Sequence, residues 1–318
     1  MKSILTLIIG LFSLTLVAQQ DLHYTFFMFN HQLYNPAYVG SRNTGSVMGL
    51  HRSQWLGFEG APSSQVFSFH TPIMRQRAGV GGTVSHYNIG ITNNWLISGA
   101  YSYDIRLTQE IGLRLGLQGS MEYMGINFND ENVITVTNPL NDPSLSDGEF
   151  ADKYVANVGV GMYITYKDIF YFGLSVPQIY PNEIGFNKAT ALTALNFPHR
   201  YAAVGATIEL SDQVELMPNA LVKYVDHAPL DADINFSVRY LRKLMAGLTY
   251  RVGGNNVGES IDALLFFQFN RKLGAGVSYD ITLSDVRQYQ SGTVEVMLRY
   301  DLRDEKGDLE NPRYFKKK

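Results

Sequence analysis

Cysteine is absent from the 318 residues. Its absence excludes disulfides, thiolate metal sites and a cysteine nucleophile, and with them the lipid-bearing cysteine of a bacterial lipoprotein. Charge is sparse as well. Asp, Glu, Lys and Arg make up 17% of the chain and the net charge is −3, so nothing marks the whole chain as a nucleic-acid binder. Beyond residue 18 no apolar run approaches the ~18 residues of a spanning helix. If the chain is integral to a membrane, it has to cross as a closed barrel. Catalytic strings are missing too: there is no G-x-S-x-G, no H-E-x-x-H and no Walker or dinucleotide fingerprint. Gly79-Val80-Gly81-Gly82 falls inside a predicted strand, where small residues pack against lumen contents. The seven histidines (His23, His31, His51, His70, His86, His199, His227) include no close pair suited to a metal. His70 and His86 fall on neighbouring predicted strands with Ser68 and Ser85 nearby, a coincidence common enough that it does not argue for a hydrolase. The expectation is no enzyme, no metal and no cofactor.

Tyr (20), Phe (18) and Gly (29) are abundant, a composition that fits β-structure in a membrane. Lys2 precedes an apolar stretch from Ile4 to Val17, and Ala18 stands before Gln19-Gln20-Asp21. That pattern predicts a cleavable signal peptide over 1–18, too short for a comfortable membrane span. The rest alternates with period two. In 111–118, Ile111, Leu113, Leu115 and Leu117 oppose Gly112, Arg114, Gly116 and Gln118; in 293–300, Val294, Val296, Leu298 and Tyr300 oppose Thr293, Glu295, Met297 and Arg299. One face is apolar with aromatic ends and the other is small, polar or charged. A barrel with lipid outside and a polar lumen inside has this economy, and a soluble sandwich the reverse.

Fourteen strands are predicted, near 46–55, 64–70, 78–87, 93–105, 110–125, 154–166, 168–176, 200–210, 214–224, 232–241, 244–252, 259–269, 272–282 and 292–302. The first two sort least cleanly by face. Connections after even-numbered strands are short (Lys167-Asp168, Ser211-Asp212, Arg242-Lys243, Asn270-Arg271), whereas several after odd-numbered strands are long (126–153, 177–199). This asymmetry is the outer-membrane pattern, and an even count places both termini on the short-turn, periplasmic side. The fold class is therefore all-β: a transmembrane outer-membrane barrel of about fourteen antiparallel strands. Its segments are a signal peptide (1–18), a periplasmic or plug-like stretch (19–44), the barrel (45–302) and a charged periplasmic tail (303–318).

Several strings lie outside this cadence. Tyr34-Asn35-Pro36-Ala37-Tyr38-Val39-Gly40-Ser41 precedes the first strand; Gln54-Trp55-Leu56-Gly57-Phe58-Glu59-Gly60-Ala61-Pro62 follows it; Asn311-Pro312-Arg313-Tyr314-Phe315 closes the chain. Together with Gly79-Val80-Gly81-Gly82, Ile89-Gly90 and Tyr101-Ser102-Tyr103-Asp104-Ile105, they make the chain resemble the PorP/SprF family of outer-membrane proteins. That family is associated with type IX secretion and gliding motility. The resemblance implies a non-enzymatic barrel in the bacterial outer membrane that helps a secreted, adhesin-like surface protein across or onto that membrane. Its implied partners are that protein, the secretion machinery and lipid.

The candidate partner-binding residues are Asn35, Pro36, Trp55, Phe58, Tyr314 and Phe315. Each has a plainer reading. Asn35-Pro36 is a turn initiator leading into the first strand, Trp55 and Phe58 are ordinary interfacial aromatics, and the tail is a solvated end. The acids and amides Asn127, Asn129, Asp130, Glu131, Asp142, Asp147 and Glu149 fit no calcium-loop spacing and read as a solvated loop. Arg114, Arg239, Arg251 and Arg299 are expected in the lumen with Asp104, Glu209, Asp262, Asp280 and Glu295, paired if the lumen is filled and setting ion preference if it is open. A channel or transporter for small solutes is the alternative function.

Overall fold

The computed structural model describes residues 23–42, 44–127, 150–167, 169–183, 195–226, 228–253 and 257–302. The predicted signal segment 1–18, the acidic loop positions 129–149 and the tail with Tyr314 and Phe315 lie outside the described residues.

Alternation of period two produces fourteen long strands: β1 (Gly45–Ser53), β2 (Ser63–Ile73), β3 (Ala78–Ile89), β4 (Thr92–Arg106), β5 (Ile111–Asn127), β6 (Phe150–Tyr166), β7 (Phe170–Val176), β8 (His199–Ala206), β9 (Val214–Val225), β10 (Asp231–Tyr240), β11 (Leu244–Gly253), β12 (Val257–Gln268), β13 (Leu273–Thr282) and β14 (Thr293–Leu302). Each pairs antiparallel with the next. β14 returns to pair with β1, Leu302 opposite Gly45 and Val294 opposite Ser53, so the sheet closes and has no free side edge at that seam. The fourteen predicted strands are all present. Tight turns end the even-numbered strands. In the β10–β11 turn Leu241 and Arg242 both take positive φ (50° and 56°), the primed geometry that matches the twist of the flanking strands.

The two faces of the wall differ as the periodicity predicts. Outward positions such as Leu115, Leu117, Ile234, Phe236, Val238, Leu248, Leu265, Val296 and Leu298 are exposed, while their inward neighbours are buried. No helix among the described residues is long and apolar enough to cross a membrane; the crossing is made by strands. Tyr279 and Tyr250 near one end of the wall, and Tyr103, Tyr166, Tyr240 and Tyr300 near the other, give it aromatic girdles.

Residues 24–42 lie inside this cylinder. They fold into three short 3-10 turns, Phe27–Phe29, His31–Leu33 and Pro36–Tyr38. Phe26, Phe27, Met28, Phe29, Ala37 and Tyr38 form one buried cluster with the inward residues Met48, Leu50, Val66, Met217, Leu264 and Met297. Here is the reason β1 and β2 sort poorly by sequence: their inward side chains are apolar because they pack on chain rather than face water. The segment runs the length of the lumen. His23 sits beside Lys223, Asp231 and Asp233, near the long-loop ends of β9 and β10, and Arg42 binds Asp301 and Ser46 at the short-turn end. The wall therefore begins and ends on the short-turn side, as an even count requires, but the described chain starts in the other half of the lumen.

Candidate functional site

The lumen grips the internal segment by its backbone. Both carboxylate oxygens of Glu295 are used: Oε2 accepts the Thr25 N–H at 2.9 Å and Oε1 the Phe26 N–H at 3.0 Å. Thr25 Oγ1 donates to Asp262 at 2.9 Å. Lower down, Gln32 Nε2 donates to the Gly82 carbonyl (2.8 Å) and to Thr83 Oγ1 (2.9 Å). The Ser175 hydroxyl donates to the Tyr34 carbonyl and Ser102 to that of Val39, both at 2.6 Å. Wall glycines make the space. A Cβ on Gly79, Gly116 or Gly161 would overlap Val39–Gly40, Pro36–Ala37 or the Asn35 side chain respectively. Aromatic rings fill what remains: Tyr163 stacks on Tyr171 at 5.5 Å, His31 meets both edge-on, and Phe29 lies 4.7 Å from Phe266 with Arg299 over both rings.

Asn35 and Pro36 are thus lumen residues, not a turn into β1. The Asn35 side chain caps the Ala37 N–H at 2.9 Å and donates to the Met162 carbonyl of β6, also at 2.9 Å, while Pro36 opens the third 3-10 turn. This pair positions the segment and is buried away from any outside partner.

The inward charges are paired, as a filled lumen requires. Arg251 reaches Asp233 (2.7 Å), Asp262 (3.1 Å) and Asp280 (3.2 Å). Arg52 bridges Asp280 and Glu295, each at 3.1 Å. Arg239 pairs with Glu215, Arg114 with Asp104 at 3.6 Å, and Arg299 lies 3.5 Å from Asp301. Glu209 corrects the sequence expectation: it stands in the β8–β9 connection, half exposed, and approaches Arg242 at 3.6 Å, because the wall strand ends at Ala206. The lumen set also includes Glu215 and Asp233, which share the polar phase of their strands, and Arg52, which shares its phase with Met48 and Leu50 and so is not announced by alternation.

Above the lumen, Trp55 and Phe58 lie on the β1–β2 loop, with rings 6.3 Å apart and edge to face. This loop is welded to the β13–β14 loop. Leu56 N–H donates to the Gly292 carbonyl and Ser291 N–H to the Leu56 carbonyl, both at 2.8 Å. Trp55 takes positive φ (51°), a conformation unusual for so bulky a side chain and fixed here by those bonds. Phe58, Val286 and Tyr289 are exposed on the resulting platform, Tyr289 at 71%. The sequence located Trp55 and Phe58; Val286 and Tyr289 join them only through the closure of β14 on β1.

Among the described residues the Ser–His coincidence noted in the sequence does not come together. His70 points into the lumen, where its ring faces Tyr38, and His86 points outward and stacks on Trp95, so the two never share a site. No group of His, Asp or Glu among the described residues is placed to hold a metal.

The profile of one protein family, described as type IX secretion system membrane protein PorP/SprF, matches residues 16–300. No curated protein sequence matches the chain. Among solved structures, the TodX deltaS2S3 mutant monoaromatic hydrocarbon channel aligns with TM-score 0.51 and 11% identity over 85% of this chain and 93% of that one. The Pseudomonas putida toluene transporter TodX gives 0.50 and 9% over 86% and 93%. Acinetobacter baumannii Omp33 gives 0.47 and 7% over 83% and 100%. At such identities the TodX likeness is one of fold: an outer-membrane β-barrel.

Proposed function

The chain belongs to the PorP/SprF family of type IX secretion system membrane proteins, and from that premise we propose that it is a non-enzymatic outer-membrane barrel that holds a secreted protein at its long-loop rim. The filled lumen carries this reading. Residues 24–42 occupy the space a translocating chain or solute would need, so a partner has to be gripped on the outside surfaces. The rim supplies a fitting surface: Phe58, Val286 and Tyr289 are exposed beside the half-buried Trp55 on two loops locked together by backbone hydrogen bonds, and exposed aromatics held rigid bind protein at low entropic cost. In this orientation the long loops face the exterior. The short turns, and the tail 303–318 with Tyr314 and Phe315, face the periplasm, where the tail would meet the secretion machinery.

Deleting the gene is expected to strip one or a few large proteins from the cell surface while leaving general outer-membrane permeability intact. A surface proteome identical to the parent's would overturn the proposal. Within the chain, Phe58→Ala combined with Tyr289→Ala is expected to weaken retention of that partner by about tenfold or more, the effect of losing interface anchors, with barrel assembly unchanged on a heat-modifiability gel. The alternative of a small-solute channel is disfavoured by the same filled lumen.

A further inference from the structure

Charge is divided unevenly between the two rims of the barrel. The short connections 74–77, 107–110, 167–169, 207–213, 241–243 and 269–272 hold seven Lys or Arg against four Asp or Glu, in a chain of net charge −3. The excess gathers on two neighbouring turns, β10–β11 and β12–β13, which are joined where the Gln268 N–H donates to the Lys243 carbonyl at 2.8 Å. Arg242 is engaged by Glu215 at 3.1 Å and Glu209 at 3.6 Å. Lys243, Arg271 and Lys272 remain, and among the described residues none of the three is in an ion pair. The tail 303–318 follows directly on β14 but holds six Lys or Arg against four Asp or Glu, so it adds to the excess.

The β12–β13 turn is held rigidly. The Asn270 side chain accepts the Lys272 N–H at 2.8 Å and the Leu273 N–H at 3.0 Å, while Gln268 Nε2 donates to the Asn270 carbonyl at 2.8 Å. Lys272 Nζ lies 5.9 Å from the centroid of the outward Tyr300 ring, so this side chain folds over the lipid-facing side of the wall. Next to the cations the wall is apolar. Leu244 is paired with Phe267, and the Phe267 and Phe269 rings meet edge to face at 5.1 Å, with Phe269 57% exposed.

Two other cations lie over outward tyrosines, and both are neutralised from within the chain. Lys167 over Tyr166 is closed by Glu110 at 2.9 Å, and Arg200 over Tyr224 by Asp226 at 2.8 Å. Lys272 over Tyr300 has the same arrangement without the carboxylate. A cation at the end of a lipid-facing wall sits at headgroup depth, where long side chains snorkel and aromatic belts lie.

We propose that this part of the rim binds one anionic phospholipid, its acyl chains along Leu244, Phe267 and Phe269 and its phosphate against Lys243, Arg271 and Lys272. The apolar plate is surface that lipid covers in any case, so the group that meets these cations is the one carried on those acyl chains. A protein would first have to strip lipid from Phe267 and Phe269. A zwitterionic headgroup brings its own cation and gains less from the three positive charges than an anionic one does. The orientation given under Proposed function enters only in making the inner leaflet the source of the lipid.

The delipidated chain in mild detergent, titrated with phosphatidylglycerol or phosphatidylcholine and read by native mass spectrometry, tests this. One phosphatidylglycerol is expected to bind at concentrations where phosphatidylcholine does not. Each Lys or Arg beside an anionic lipid surface contributes about fivefold in affinity. The triple variant Lys243→Gln, Arg271→Gln, Lys272→Gln is therefore expected to bind phosphatidylglycerol at least about tenfold more weakly. Arg75→Gln with Arg77→Gln, on the β2–β3 turn of the same rim, is expected to bind it as the parent does. Equal binding of the two lipids, undiminished binding by the triple variant, or an equal loss in the β2–β3 control overturns the proposal. So does displacement by excess inorganic phosphate, which would assign the cations to a free anion. Recovery of an acidic protein by the parent and not by the triple variant, with no lipid retained, would assign them to a protein and likewise overturn it. Should the triple variant fail to assemble, lipid extracted from the purified parent decides: enrichment of anionic phospholipid over the source membrane supports the site, and its absence refutes it.

Discussion

Deleting residues 24–40 is expected to turn a silent barrel into a conducting one. Fourteen strands enclose more room than the inward side chains of the wall can fill, whereas about eight strands leave just enough. Here the internal segment supplies the missing volume, with Phe26, Phe27, Ala37 and Val39 each fully buried and Tyr38 nearly so. Without it, Arg52, Arg251, Arg299 and their carboxylates would line a water-filled passage. In planar bilayers the intact chain is expected to show no steady conductance and the deletion to show ohmic openings. Gly116→Leu and Gly161→Leu test the same idea without shortening the chain, because each side chain would overlap the segment at Pro36–Ala37 or at Asn35 and push it aside. The deletion also costs stability. Each buried Phe reduced to Ala typically loses about 3–5 kcal/mol, so the folded form on an unheated gel is expected to convert at lower temperature. Steady openings of the intact chain as large as those of the deletion would mean that the segment does not occlude the lumen, and would return the solute-channel reading to favour.

The wall was legible in the sequence wherever its inward face is polar. β10 to β14 keep Asp233, Asn235, Ser237, Arg239, Asp262, Asp280, Glu295 and Arg299 on one phase and Ile234, Phe236, Val238, Val296 and Leu298 on the other, which is the signature that alternation detects. β1 and β2 blurred because both of their faces break the rule. Met48, Leu50 and Val66 turn inward onto the segment, and His51 and Gln65 turn outward. The segment itself has no period to find. Three 3-10 turns separated by one or two irregular residues give neither a 3.6 nor a 2.0 repeat, and the density of Phe26-Phe27-Met28-Phe29 acquires meaning only when there is a lumen to fill. Register was the other missing quantity. His70 and His86 lie on adjacent strands, but His86 pairs with Gln65, and a five-residue offset along β2 puts the two rings on opposite sides of the sheet. The rim platform needed the closure of β14 on β1, which no local pattern announces.

Arg251→Met is expected to be the most damaging single substitution in the wall. The residue is 4% exposed, its guanidinium is shared by Asp233, Asp262 and Asp280 at 2.7–3.2 Å, and Asp262 is fully buried. Removing one partner of a buried pair leaves an uncompensated charge and costs about 3–5 kcal/mol. Here three carboxylates lose a common cation; Arg52, already divided between Asp280 and Glu295, reaches one of the three, and His23 lies beside Asp233 at 3.3 Å. The damage reaches the lumen segment by a short route. Asp262 holds Thr25 Oγ1 and Glu295 holds the Thr25 and Phe26 N–H groups, so a disordered acid cluster loosens the segment at its long-loop end. Two readouts should therefore move together, a lower conversion temperature on heat-modifiability gels and the appearance of conductance. Arg251→Met combined with Asp262→Asn and Asp280→Asn removes charge of both signs and is expected to recover much of the lost stability, since a neutral, hydrogen-bonded cluster costs less than an unbalanced one. Strict additivity of the three substitutions would show that Arg251 and its acids do not act as a unit, and that the segment is held by packing rather than by the charges above it.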